Sequence, residues 1–155
     1  MEVEYDNIGI AATYRMTATY FKISADVLAK DFISNKIRIS GNRKAIPYYY
    51  MISHALELLL KCALLKRNFP KSKLKNSTLR HNLIGLLDEL KNFGIPITED
   101  TYNTIQIISD QHKKHRLRYD FLFDDGLLTF TPEPNSLNST YDELLLTGAI
   151  STFGK

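Results

Sequence analysis

His54, Glu57 and Lys61, with Tyr50 one turn before them, are spaced four, three and four residues apart, which places all four side chains on one face of an α-helix. A histidine three residues from a carboxylate can be held in one tautomer for acid–base work. The same order, Glu57 before Lys61, also makes an ordinary ion pair, worth about 0.2–0.5 kcal/mol on a helix surface. A second group lies in His-Lys-Lys-His-Arg-Leu-Arg-Tyr, residues 112–119. There His112 and His115 are candidates for acid–base chemistry. Lys113, Lys114, Arg116 and Arg118 are candidates for holding phosphate, with Tyr119 available to an unstacked base. Two histidines three apart can also touch a metal. No carboxylate or cysteine stands near them, so such a site would need partners from elsewhere, and no metal or cofactor is assigned. Arg80 joins the phosphate candidates. Its neighbour His81 reads as a helix-start residue that caps or packs.

Charge distribution supports an anionic partner more than net charge does. The whole chain carries +3, but from Phe32 to Leu87 there are eleven Lys or Arg against one acid, Glu57, and the remainder is acidic. Such asymmetry suits a surface that meets phosphate. No apolar run reaches the roughly 20 residues that span a bilayer, so no membrane association is expected. The opening Met-Glu-Val-Glu-Tyr-Asp lacks the basic-then-apolar order of a signal peptide, and a cytoplasmic location is expected. The single cysteine, Cys62, excludes an intrachain disulfide and reads as a small core side chain. Phosphate loops, dinucleotide glycine motifs, nucleophile elbows and His-Glu-x-x-His are absent.

These groups need elements to position them. Residues 48–67 are apolar on nearly every side except the Tyr50-to-Lys61 line, the pattern of a central helix wrapped by neighbours. Before it, Ile10, Tyr14, Thr17, Ala18, Phe21, Ala25, Leu28 and Phe32 trace one face of an amphipathic helix. Pro47 suits the first turn of the central helix, and Asn68-Phe69-Pro70 suits its end. A basic loop follows. Leu83, Leu86, Leu87, Leu90 and Phe93 make a short helix starting near Ser77, Thr78 or His81 and closed by Gly94. Thr98 caps the next, whose inward stripe Tyr102, Ile105 and Ile108 continues into His112 and His115. Alternation from Tyr119 to Phe130 about Asp125-Gly126 predicts a β-hairpin. Thr140 with Glu143 reads as the capping box of a terminal helix.

The helix carrying Ala55-Leu56-Glu57-Leu58 and Lys61, the later His81-Asn82-Leu83 with Leu86 and Leu87, and the pair Arg118-Tyr119 resemble the HEPN superfamily (higher-eukaryote and prokaryote nucleotide-binding) over about Tyr48 to Tyr119. The resemblance implies one mainly α domain across residues 1–155, an up-and-down helical bundle of about five helices. It further implies a homodimer, a bacterial defence or toxin–antitoxin setting, and RNA, nucleotide or antitoxin-type protein partners. Many members are metal-independent endoribonucleases, with an arginine followed after four to six residues by a histidine. This chain lacks that spacing. The expectation is therefore a module that binds RNA or nucleotide phosphates, or a protein partner, without cleaving. The alternative is a divergent endoribonuclease using His112 or His115 with Arg116 or Arg118 across a dimer cleft.

Overall fold

Apolar periodicity of 3.6 residues dominates this chain, and helices are what it produces. The computed structural model describes residues 2–34, 45–113 and 132–149. Its regular elements are α1 Glu2–Ser34, α2 Ala45–Leu65, α3 Lys71–Leu74, α4 Leu83–Asn92, α5 Glu99–Lys113 and α6 Pro134–Ala149. Among the described residues there is no strand. The hairpin expected over residues 119–130 lies outside them.

Sixteen of the twenty-one residues of α2 are buried, so it is the central helix that its all-round apolarity predicts. It packs on α1, α4, α5 and α6. The residues of α1 that disappear entirely are small: Ala11, Ala18, Ala25 and Ala29, flanked by half-buried Tyr14, Phe21 and Leu28. Alanine at the contact line lets two helix backbones approach closely while the larger side chains seal the flanks.

Local chemistry sets the helix ends. Asn68 takes a left-handed φ of 59°, and the chain closes α2 through Phe69 N–H to Leu64 O at 3.1 Å and Asn68 N–H to Leu65 O at 3.0 Å. That pair of bonds is a Schellman closure with asparagine in the usual glycine position. Gly94, at φ 77°, plays the same part after α4, as expected. Thr98 caps α5 by accepting from Thr101 N–H at 3.3 Å.

Three expectations need correcting. The basic loop after Pro70 contains the short turn of α3, with Leu74 buried. Helix α4 begins at Leu83, two residues past His81, the nearest of the three expected starts, but its cap is Asn82, whose side chain accepts from Gly85 N–H, and not the His81 ring. The Thr140/Glu143 capping box does not form. Helix α6 begins at Pro134, six residues earlier, where a proline at the first helical position leaves no bond unmade. Glu143 instead reaches across to α5, accepting from Thr98 N–H and from the hydroxyls of Thr98 and Thr101. A capping pattern in sequence cannot tell whether its carboxylate serves its own helix or a neighbour's.

Leu60 is fully buried in the middle of α2. Leu60→Ala removes its transfer free energy and leaves a cavity among neighbours that cannot all collapse, for a cost of about 2–5 kcal/mol. Urea denaturation should show the midpoint shifted by that amount. A loss below about 1 kcal/mol would contradict its central position.

Candidate functional site

Glu57 is the only acidic side chain within α2, and the helix buries it to 1% exposure. An unpaired carboxylate there would be very costly, so its partners define the site. Lys61, one turn on, donates Nζ to Oε1 at 2.5 Å. The other oxygen, Oε2, faces three imidazoles. His112 Nε2 stands at 2.6 Å, His81 Nδ1 at 3.2 Å and His54 Nδ1 at 3.7 Å. The first two are hydrogen bonds. The third exceeds hydrogen-bonding distance, and His54 Nδ1 is buried without a hydrogen-bond partner.

Each histidine comes from a different structural device. His54 sits on α2, one turn before Glu57. Its ring lies edge-on to Phe21 of α1 at 4.5 Å between centroids and stacks with Tyr50 at 6.2 Å. His112 ends the inward stripe of α5 below Ile105 and Ile108 and is buried. His81 lies just before the α4 cap with a left-handed φ of 63°. Non-glycine residues adopt this conformation uncommonly, with asparagine, aspartate and histidine enriched among those that do, and it costs on the order of 1–3 kcal/mol. It turns the imidazole inward to Glu57, away from any capping role.

Burial by itself pushes the Glu57 carboxyl up. The hydrogen bond from His112, the adjacent His54 ring and the Lys61 ammonium outweigh burial and hold Glu57 below the usual carboxylate range. Burial pushes His112 down, further than the bond and charge of Glu57 restore it. The pair is thus an ionised carboxylate beside a neutral imidazole. Because a carboxylate only accepts, His112 carries its proton on Nε2 and His81 on Nδ1. The carboxylate therefore engages opposite ring nitrogens in the two histidines.

Among the sequence candidates, the structure unites His54, Glu57 and Lys61 with His112, as one group and not two. It adds His81, which helix-start reasoning had set aside. His54 and His81 keep about a fifth of their side-chain surface, 21% and 22%, so solvent reaches the cluster from their side. His112, offered by sequence as the acid–base group, lies at the closed end with 3%. Arg80 and Lys113 are exposed next to His81 and His112 in the chain. Lys114, His115, Arg116 and Arg118 lie outside the described residues.

Both proton shifts make stability depend on pH in one direction. As pH falls through 6.5 the unfolded chain protonates His112, and below 4.5 it protonates Glu57, while the folded chain resists both. Stability is therefore complete above about pH 6.5 and declines as acid is added, first through His112 and then through Glu57. Urea midpoints measured from pH 8 to pH 4 should fall along that course. A profile flat to pH 5 would be incompatible with a neutral buried His112.

Comparison with known proteins adds no relative to this geometry: no family model matches the chain, and no curated protein or solved structure does either.

Proposed function

We propose that this chain is a HEPN-like helical module that engages RNA or nucleotide phosphates and performs acid–base chemistry on them through His81. One observation carries the reading: His81 is held in a strained left-handed conformation with Nδ1 3.2 Å from a buried, ionised carboxylate. A carboxylate on the far ring nitrogen is the arrangement that orients a histidine as a general base. Its imidazole is the group assigned to take up the proton of an attacking hydroxyl, such as the 2′-hydroxyl of RNA. Arg80, adjacent and exposed, supplies charge for the phosphate. This favours cleavage over the binding-only expectation. His112, at the closed end, fixes Glu57 and does not meet the phosphate in this reading.

The homodimer that the resemblance implies draws support from α1. Ile8, Met16, Tyr20, Ile23 and Val27 form an exposed apolar line at helical spacing along its outer face. The bacterial defence or toxin–antitoxin setting and an antitoxin-type partner rest on the resemblance alone.

Asparagine tolerates the left-handed region, so His81→Asn removes the imidazole without adding strain. A labelled single-stranded RNA should be bound by the wild type in a strongly salt-dependent manner and cleaved. His81→Asn should lower the cleavage rate by about 100-fold or more while melting temperature and binding stay the same. Cleavage unaffected by that change would defeat the role given to His81, and binding without cleavage would return the binding-only module. No binding even at low salt would leave only a protein partner.

Sedimentation at micromolar concentration should give a dimer. Ile23→Glu should shift it to monomer with helicity intact. A wild-type monomer would remove α1 as the interface.

A further inference from the structure

Neither His54 nor His112 moves a proton in the acid–base role proposed for His81. His54 and His112 approach the same carboxylate oxygen from α2 and α5, and one donor atom from each, with Oε2 of Glu57, lies within 4.8 Å of the other two. His54 Nδ1 is buried, without a hydrogen bond, and 3.7 Å from that oxygen. A buried ring nitrogen left in this way is costly unless something between it and its neighbours accounts for it. We propose that His54 Nδ1, Glu57 Oε2 and His112 Nε2 form a site for one divalent transition-metal ion of the zinc class.

Donor chemistry selects the ion. Two imidazoles with one carboxylate suit zinc, iron, cobalt or nickel, whereas magnesium and calcium prefer all-oxygen sets. Distances are compatible. Donors about 2.0–2.1 Å from a tetrahedral zinc stand roughly 3.3 Å from one another. The observed 2.6 Å and 3.7 Å lie on either side of that value, so the His112 contact opens by about 0.7 Å and the His54 contact closes by about 0.4 Å. Side-chain rotation alone supplies such shifts.

The remaining groups fit around it. Lys61 holds Oε1 only, so it neutralises part of the carboxylate and orients it without occupying the space among Oε2 and the rings. His112 presents an N–H to Glu57 in the metal-free protein. On binding, that proton moves to Nδ1 of the same ring, so the imidazole stays neutral and the Nε2 lone pair bonds the metal. Three protein donors leave a tetrahedral ion one position for water, and the one-fifth exposure of His54 and His81 gives water a route to it. That is the arrangement of a reactive metal centre, not of a closed structural one.

This inference shares the location of the acid–base reading, but its test involves no RNA, so each can fail without the other. The full chain, stripped with EDTA and dialysed, is titrated with zinc chloride by calorimetry and with cobalt chloride by visible absorption. We expect one ion per chain, and a cobalt spectrum with the strong bands of four-coordination. His54→Ala and His112→Ala should each weaken zinc binding by more than about 100-fold, beyond the 10–100-fold that losing a residue merely supporting a ligand costs. His81→Asn should leave the stoichiometry unchanged. Where an alanine variant loses helicity by circular dichroism, pulsed electron paramagnetic resonance of copper-loaded wild type replaces it and should count two imidazoles. Absence of binding at micromolar zinc overturns the proposal. So do unchanged affinity in folded His54→Ala and His112→Ala variants, a six-coordinate cobalt spectrum, or a copper signal without coordinated imidazole.

Discussion

A carboxylate inside a helical bundle is tolerated only if its charge is answered, and this fold is arranged to answer one. Glu57 is at the middle of the most buried helix, where an isolated charge would cost more than any single packing interaction returns. Lys61 comes from the same helix, His112 from the end of α5 and His81 from the turn before α4. Three segments distant in sequence are therefore held to one register by one side chain. Turning α5 by a single residue would move His112 by about 100° around its axis and leave Oε2 short of its tightest partner. Apolar helix packing alone is far more permissive, since leucines tolerate small rotations against one another.

Packing in turn keeps the cluster dry enough for its electrostatics to matter. The alanine line of α1 brings that helix close to α2, and Phe21 from it meets the His54 ring edge-on. Ile105 and Ile108 seal α5 above His112. In this low-dielectric setting the hydrogen bonds to Oε2 are stronger than on a surface, and the Glu57–Lys61 pair differs from the exposed helix pair its spacing alone suggests. The same spacing on a solvated face would contribute a few tenths of a kcal/mol and do nothing else.

The helical architecture was legible because it depends on period and punctuation. The buried stripe of α5, the Gly94 stop and the Thr98 cap each follow from local residue types. Half of the site was legible for the same reason: His54, Glu57 and Lys61 fall on one line of α2, and His112 extends an apolar stripe inward. What sequence could not supply was the meeting of these two lines, a matter of tertiary register. His81 was the larger omission. Its left-handed φ falls in the turn closed by Asn82 N–H to Leu79 O, and its bond to Glu57 depends on where that turn lies against α2, which nothing in Arg80-His81-Asn82 announces. A usable signal did exist: Glu57 was the one acid in a long basic stretch and sat where only apolar side chains belong, so partners had to arrive from elsewhere. Glu143 shows the converse, a local capping pattern overruled by a hydrogen-bonding opportunity on another helix.

Three departures from what stability favours coincide at Glu57. A charged pair is buried where leucines of similar volume would be neutral or better. A non-glycine residue is held at φ 63°. A ring nitrogen is buried without a hydrogen bond. Each costs free energy, and sequences whose local choices otherwise agree with the fold tend to concentrate such costs where function requires them. A purely structural polar core explains the first departure, since Lys61 and His112 already satisfy the carboxylate. It leaves the third unexplained, since His54 directs a nitrogen at an oxygen it does not reach, whereas the φ of His81 sits in the turn closed by Asn82 N–H to Leu79 O. All three lie around Oε2, which is why the proposed acid–base and metal roles are both centred on that oxygen.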